Sequence, residues 1–439
     1  MVLIRVAYQI LFLCFFLFAA PYYLRKMIKR GKSGRGFGQR FGLFSKRTRR
    51  KLQEKSGGLW IHAVSVGEVE IAVQIIKGWQ KRHPSVPVIL STTTVTGRAT
   101  AIRRLSGEVP VFCNPIDFPF SVRTAFDLVR PKWLVLVESE IWPNCLWEAE
   151  KRGVPVGLVN ARLSHTTEKR YHQCLWFVGP LLRQIACLCV QSERDFKRFL
   201  ALGVPGENMV MTGSMKYDVS RFFGDAPPVD PEKILGWAGW KQGRPIFLAG
   251  STHRGEEAIV IDIFIRLQKQ FPDIFLVLAP RHAERGGEVC ALAESLGLHC
   301  VRRSKLGGEN ALAGSVLVLD STGELRHFYG LARVNFIGKS LVGYGGQNFL
   351  EAAQAGRPVV FGPHMENFAV IAEEFAAHGA VVRVADAKGL EDEVKKCFAS
   401  STYADELGKK AREVFAAQSG ATDRTLDGLE KKMGMLGVL

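Results

Sequence analysis

Two carboxylate-bearing turns and one lysine stand out by residue type and spacing in the first half of the chain. Ser65-Val66-Gly67-Glu68 joins an apolar stretch, Leu59–Ala63, to Val69, Ala72, Val73 and Ile76, which recur at helical spacing. Glu68 thus stands at a helix start, where unpaired backbone N–H groups and the helix dipole favour an anion. The same point is the carboxyl end of a strand, where open α/β sheets hold their ligands. A carboxylate so placed can take the proton of an attacking hydroxyl; in the plainer reading it only starts the helix. Glu138-Ser139-Glu140-Ile141-Trp142-Pro143 closes a second apolar run, with Glu138 read as a hydrogen-bond acceptor. Asn160-Ala161-Arg162-Leu163-Ser164 closes a third, and Gly213-Ser214-Met215-Lys216 offers an ammonium for a departing phosphate.

The second half carries four polar turns, each after a strand pattern. They are Gly250-Ser251-Thr252-His253-Arg254-Gly255-Glu256, Pro280-Arg281-His282, Thr322-Gly323-Glu324-Leu325, and Gly343-Tyr344-Gly345-Gly346-Gln347-Asn348. The Arg281 guanidinium matches a phosphate in bidentate fashion. The last turn is glycine-rich and opens into Phe349, Leu350 and Glu351, the usual physical solution for cradling a phosphate or carboxylate on backbone N–H groups. Glu351, near the start of that helix, is placed to accept ribose hydroxyls. Two look-alikes fail. Gly338-Lys339-Ser340 ends like a phosphate loop, but Arg333 stands where its first glycine belongs and no helix pattern follows directly. Gly36 and Gly38 resemble part of a nucleotide fingerprint, but no strand precedes them. There is no H-E-x-x-H, no Asp-x-Asp and no C-x-x-C, so no metal is expected, and the nine cysteines read as reduced thiols.

These turns need strands and helices to hold them, and the pattern supplies both. Strands are expected at 59–63, 86–92, 109–113, 133–138, 156–160, 187–191 and 210–212, and again at 245–249, 274–279, 299–303, 315–320, 334–337, 358–361 and 380–383. Helical spacing fills most gaps, including 99–105, 122–129, 144–152, 194–202, 256–270, 288–296, 348–355 and 368–378. Alternation of this kind implies parallel sheets covered on both faces. Gly213, Pro227 and Pro228 interrupt it once, so two doubly wound Rossmann-like α/β domains facing across a cleft are expected. The expected divisions are 1–24 (membrane anchor), 25–56 (basic segment), 57–213 (first domain), 214–231 (linker), 232–410 (second domain) and 411–439 (helical tail, able to cross back to the first domain).

The formal charge of +17 is concentrated in one place. Residues 25–55 hold thirteen Lys or Arg against one acid, Glu54, so most of the excess lies there and a nucleic-acid partner is not expected. The apolar run from Val2 to Leu24 precedes it, with Arg5 and Gln9 as interruptions. Its length suits a single membrane anchor, and the cations after it put the rest of the chain on the cytoplasmic side of an inner membrane, against an anionic surface. Residues 31–42, glycine-rich and basic, read as a linker.

Taken in order, Ser65 to Glu68, Glu138 to Pro143, Asn160 to Ser164, Gly213 to Lys216, Pro280 to His282, Gly323 to Leu325 and Asn348 to Glu351 resemble the 3-deoxy-D-manno-octulosonic acid (Kdo) transferases of lipid A assembly. The resemblance runs from the apolar segment to about residue 420. It implies a GT-B fold, CMP-Kdo as donor substrate, a lipid A precursor (lipid IVA) as acceptor, inversion, and no cofactor or metal. It further implies that Glu68 is the general base, that Glu138 and Lys216 stabilise the transition state, and that Pro280, Arg281, Gly323, Glu324, Leu325, Asn348, Phe349, Leu350 and Glu351 bind CMP. The chain departs from many members at Gln347, where they have His, and at Phe349, where they have Pro. Two rivals remain: another GT-B-like sugar-nucleotide enzyme, such as a lipid-linked transferase or an epimerase, and a non-enzymatic basic module bound to a membrane.

Overall fold

Runs of Leu, Val and Ile that are buried on both faces make the inner parallel strands, and fourteen parallel strands are present among the described residues. The structure, a computed structural model, describes residues 2–29 (backbone only at 2 and 20–29), 36–218, 229–306 and 314–437. The chain divides into two compact units, Met1–Phe222 with Ser419–Leu439, and Phe223–Gln418.

In the first unit the strands are β1 Leu59–Ala63, β2 Val88–Thr92, β3 Val111–Cys113, β4 Trp133–Val137, β5 Val156–Ala161, β6 Ile185–Val190 and β7 Met209–Met211. They pair in the order β3-β2-β1-β4-β5-β6-β7, all parallel. Every residue of β1, β2, β4 and β5 is buried, with Trp60, Phe112, Phe126 and Leu134 in one core cluster. Chain direction across the sheet reverses between β1 and β4. That switch point leaves a crevice at their carboxyl ends, where Glu68 and Glu138 fall.

In the second unit the strands are β8 Ile246–Thr252, β9 Phe275–Pro280, β10 Cys300–Arg302, β11 Val316–Val318, β12 Val334–Ile337, β13 Val359–Phe361 and β14 Val382–Arg383. Their order is β10-β11-β9-β8-β12-β13-β14, again parallel, with the switch between β8 and β12. The turns after these two strands are His253–Gly255, shorter than the expected Gly250–Glu256 because β8 runs on to Thr252, and Gly338–Gln347.

Three expectations are corrected. Among the described residues no helix is long and apolar enough to cross a membrane, so the anchor expected over 1–24 is not supported. The segment is helical, Val2–Lys29, but its described side chains include an aromatic stripe packed on the first unit. Tyr8, Phe12 and Phe16, one helical turn apart, meet Trp147, Phe177, Phe118 and Phe41 at centroid distances of 5.2–6.0 Å. The Tyr8 hydroxyl donates to Asp117 at 2.8 Å, and Arg5 pairs with Glu150 at 2.8 Å. Secondly, the basic linker expected over 31–42 is structured where described. A short 3-10 turn, Phe37–Phe41, buries Gln39, whose side chain accepts the Cys113 N–H at 2.8 Å. Thirdly, the linker expected over 214–231 starts later. Met215–Asp218 is a buried 3-10 turn of the first unit, Pro231–Trp237 is helical, and the residues between 218 and 229 lie outside the described residues.

The C-terminal helix Ala421–Met435 belongs to the first unit, the chain changing over at 418/419. It is fixed where it starts. Asp218, 4% exposed, accepts the N–H groups of Gly420 at 2.8 Å and Thr422 at 2.6 Å. Thr422 Oγ1 donates to buried Gln74 Oε1 at 3.0 Å, on the helix Val66–Arg82 that Glu68 begins. Asp218→Ala leaves the buried Thr422 N–H and the part-buried Gly420 N–H without their acceptor and should cost about 2 kcal/mol. The check is the melting temperature by circular dichroism, which should fall; an unchanged melt would mean that the return helix is held by packing alone.

Candidate functional site

The first unit brings Glu68, Glu138 and Lys216 together at one sheet edge. Ser65 is the N-cap of the helix Val66–Arg82, and its Oγ accepts the Glu68 N–H at 3.3 Å. The Glu68 carboxylate reaches back to the N–H groups of Val64 at 2.8 Å and Ser65 at 3.3 Å, completing a capping box. The same side chain is 8% exposed and lies within electrostatic reach of Glu138 and Lys216. Burial raises its pKa above the ordinary 4.5, and the Glu138 charge adds to that; the Val64 and Ser65 hydrogen bonds oppose both.

Glu138 follows β4 directly with φ of 61°, a left-handed conformation that a residue with a side chain rarely adopts. It stands between two cations, Arg162 Nε at 3.8 Å and Lys216 Nζ at 3.9 Å. Asn160 is also left-handed, with φ of 52°, and its Oδ1 accepts the Met215 N–H at 3.0 Å, fixing the turn that presents Lys216. Burial lowers the Lys216 pKa, Arg162 adds to that, and Glu138 and Glu68 pull the other way.

A third carboxylate completes the group. Glu140 accepts from Trp142 Nε1 at 2.8 Å, and its pKa is raised to about 7 by burial first and then by Glu68 and Glu138. The Glu-x-Glu alternation after an apolar strand was the signal for it, although only Glu138 was given a role. Three carboxylates in one crevice cannot all ionise freely, so Glu68 becomes a stronger base than an exposed glutamate, with a protonated neighbour available at neutral pH. Among the described residues no group of three or more His, Cys, Asp or Glu is arranged to hold a metal ion.

In the second unit the expected donor residues fall into three kinds. Arg281 is exposed beyond β9, with its backbone N–H on Thr252 O at 2.9 Å, and buried Pro280 ends that strand. Glu351 is burdened by burial, which raises its pKa against the opposing charge of Arg326. Glu324 is engaged elsewhere: Arg303 donates to it at 2.9 and 3.0 Å, and Ser321 donates to it as well. Gly323, with φ of 90°, and Leu325, at the start of a 3-10 turn, contribute backbone. Phe349 and Leu350 turn inward. Phe349 is 0% exposed among Phe361, Phe368 and Phe375, so what these two positions offer a ligand is main chain. Asn348 Oδ1 accepts the Leu350 N–H at 3.1 Å, capping the short helix Leu350–Gln354. Two amides of the glycine-rich loop are already engaged, Gly345 N–H on Glu366 at 2.6 Å and Gly346 N–H on Lys339 O at 2.9 Å. Gln347 Nε2 lies 3.3 Å from His253 Nε2, which links this loop to the turn after β8.

Residues 35–219 match the family model described as 3-Deoxy-D-manno-octulosonic-acid transferase (kdotransferase). The 3-deoxy-D-manno-octulosonic acid transferase of Haemophilus influenzae is 33% identical over 397 residues, 87% of this chain and 91% of that protein. The protein of that name from Bordetella pertussis is 35% identical over 387 residues, 86% of this chain and 87% of that protein. Among solved structures, UDP-GlcNAc 2-epimerase from Neisseria meningitidis bound to UDP-GlcNAc superposes with a TM-score of 0.59 over 85% of this chain and 100% of that one. At 13% identity that likeness shows the fold alone, two parallel-sheet α/β units of the kind found in GT-B glycosyltransferases and epimerases.

The carboxylate group makes a pH-dependent prediction. Glu140 titrates at about 7 in the folded chain against an ordinary 4.5, so folding favours its neutral form. The stability this carries is complete below about pH 4.5 and is lost as pH rises through about 7. Glu140→Gln should therefore stabilise the fold at about pH 8 by about 1–2 kcal/mol after allowance for solvent screening, read as a higher melting temperature, and leave the melting temperature unchanged at about pH 4.5. A shift of the same size at both pH values would show that the gain comes from packing.

Proposed function

Since the chain belongs to the 3-deoxy-D-manno-octulosonic acid (Kdo) transferase family and is a glycosyltransferase, we propose that it moves Kdo from CMP-Kdo to a lipid A precursor with inversion, Glu68 acting as base. Membership of an enzyme family removes the non-enzymatic module from contention. The observation that carries the mechanism is the placement of Glu68: nearly buried, raised in basicity by burial and by Glu138, and next to a carboxylate flanked by Lys216 and Arg162.

A sugar hydroxyl is too weak an acid to attack unaided. As its oxygen bonds to the anomeric carbon of Kdo, its proton passes to the free side of the Glu68 carboxylate. The bond from that carbon to the phosphate oxygen of CMP breaks at the same time and its electron pair leaves with CMP, so one displacement inverts the centre. Charge that builds on the leaving phosphate is met by Lys216. Glu138 keeps Lys216 charged and aimed. No step calls for a metal ion. The acceptor is a lipid, so the thirteen cations of residues 25–55 would meet an anionic membrane surface on the cytoplasmic side.

Glu68→Gln keeps an acceptor for the Val64 N–H but no longer takes a proton. We expect kcat to fall by about 10²–10⁴ with the donor KM nearly unchanged. Transfer at close to the wild-type rate would leave Glu68 as a helix-start residue only. For the donor, Arg281→Ala and Glu351→Ala should each weaken CMP binding by about 2 kcal/mol in calorimetric titrations. Unchanged binding in both would take the donor away from the second unit, and tighter binding of uridine than cytidine nucleotides would favour another sugar-nucleotide enzyme.

A further inference from the structure

The turn after β8 leads into the helix Glu256–Gln268, whose first residue is 0% exposed. Among the described residues no cation forms an ion pair with the Glu256 carboxylate. Five backbone N–H groups meet it. His253 at 2.9 Å and Lys339 at 2.6 Å donate to Oε2, and Ser340 at 2.9 Å, Leu341 at 3.0 Å and Val342 at 3.3 Å donate to Oε1. His253 belongs to Glu256's own turn. The other four are consecutive residues of the loop after β12, the neighbouring strand across the switch point of the second sheet.

Consecutive N–H groups converging on one point form an anion-binding nest, the main-chain device that phosphate loops use. Lys339, with φ of 56°, gives the backbone the bend that closes it. The nest is rigid on every side. A Cβ at Gly338 would lie 2.5 Å from Ser251 O, and one at Gly362 would lie 2.2 Å from Ser340 O, so only glycine fits at either place. The Ser340 hydroxyl donates to Ile337 O and accepts the Gly362 N–H at 2.8 Å. Gly338-Lys339-Ser340 thus resembles a phosphate loop for a physical reason: it is an anion cradle, and its anion is a side chain of the same protein.

The loop that follows hangs from this nest. Gly346 N–H is bonded to Lys339 O, and the Gln347 side chain meets the ring of His253, whose own N–H is on Glu256. We propose that Glu256 is a positioning residue for the donor, a built-in counter-anion that closes the nest and so sets the glycine-rich loop Gly343–Gln347 in place before substrate arrives. It also keeps the donor's own anionic groups out of the nest and directs them to that next loop. This rests on the reading that the second unit binds the donor.

Glu256→Gln places an amide group against N–H donors, and Glu256→Ala empties the nest. Both should raise the Kd for CMP about tenfold or more while kcat at saturating CMP-Kdo stays within about twofold of wild type. Formate, a carboxylate small enough for the vacated space, should restore CMP binding several-fold in Glu256→Ala and change neither wild type nor Glu256→Gln. Two results would overturn the proposal: a CMP Kd within about twofold of wild type in both variants, or a raised Kd in Glu256→Ala that formate leaves unaltered. If Glu256→Ala does not fold, Glu256→Gln decides by the split between Kd and kcat. Wild-type protein that binds no CMP would instead sink the donor reading. Amide hydrogen exchange at Lys339 to Val342, which needs no donor, would separate the two: protection equal to wild type in the variants means that Glu256 does not close the nest.

Discussion

A carboxylate taken out of water is unfavourable unless hydrogen-bond donors replace the water, and in this chain the replacements are largely backbone N–H groups. Glu256 accepts five, Asp218 accepts those of Gly420 and Thr422, and Asp117 accepts those of Asn144 and Cys145. Asp195 accepts that of Leu163, and Glu68 those of Val64 and Ser65. Each joins a helix start or turn to another segment of chain. A strand can be placed by its apolar faces alone, but the turns beyond a sheet have no such faces, and a carboxylate that gathers their N–H groups does the fixing.

The constraint also bears on how Glu68, already a cap, can serve as the base proposed for it. A carboxylate has about four acceptor positions, and the capping box occupies two. Those two hydrogen bonds favour the ionised form, whereas burial and the Glu138 charge favour the neutral one, and the second pair prevails. The cap therefore fixes the side chain without making it too weak a base to be of use. Glu138 differs because its left-handed backbone throws the side chain between Arg162 and Lys216.

Much of this was legible in the residues. Strands buried on both faces read as unbroken apolar runs, and β1 and β12 were expected at their observed bounds, with the others displaced at one or both ends by one to three residues. The turns at strand ends were legible too, because glycine and polar residues cluster there. What failed was anything decided at long range. Four of the five N–H groups around Glu256 come from residues 83 to 86 positions away, and the Arg303–Glu324 pair depends on how β10 and β11 pair, so neither has a local pattern. Phe349 was assigned by resemblance to a ligand site, yet an aromatic residue between a glycine-rich loop and a short helix has more to gain among Phe361, Phe368 and Phe375. In the first helix, hydropathy concealed the spacing of Tyr8, Phe12 and Phe16, a docking stripe at i, i+4 and i+8.

Charge gives a reason for dividing the work between two sheets. Glu68 gains basicity from burial and from Glu138, and Glu140 is pushed towards neutrality by both. The same field would repel a donor carrying a phosphate and a carboxylate if the first unit alone had to bind it, since like charges in a poorly solvated crevice interact strongly. The second unit has the opposite character at its strand ends, with Arg281 exposed beyond β9 and Lys339, His253 and Arg326 near the glycine-rich loop or Glu351. Of the two deeply buried acids there, Glu257 pairs with Arg285 and Glu256 is compensated by backbone N–H groups. A base that must be strengthened by negative charge and a donor that must be held by positive charge are incompatible demands on one pocket. In the proposed reading, the acidic switch point of the first unit meets one demand and the cationic switch point of the second meets the other.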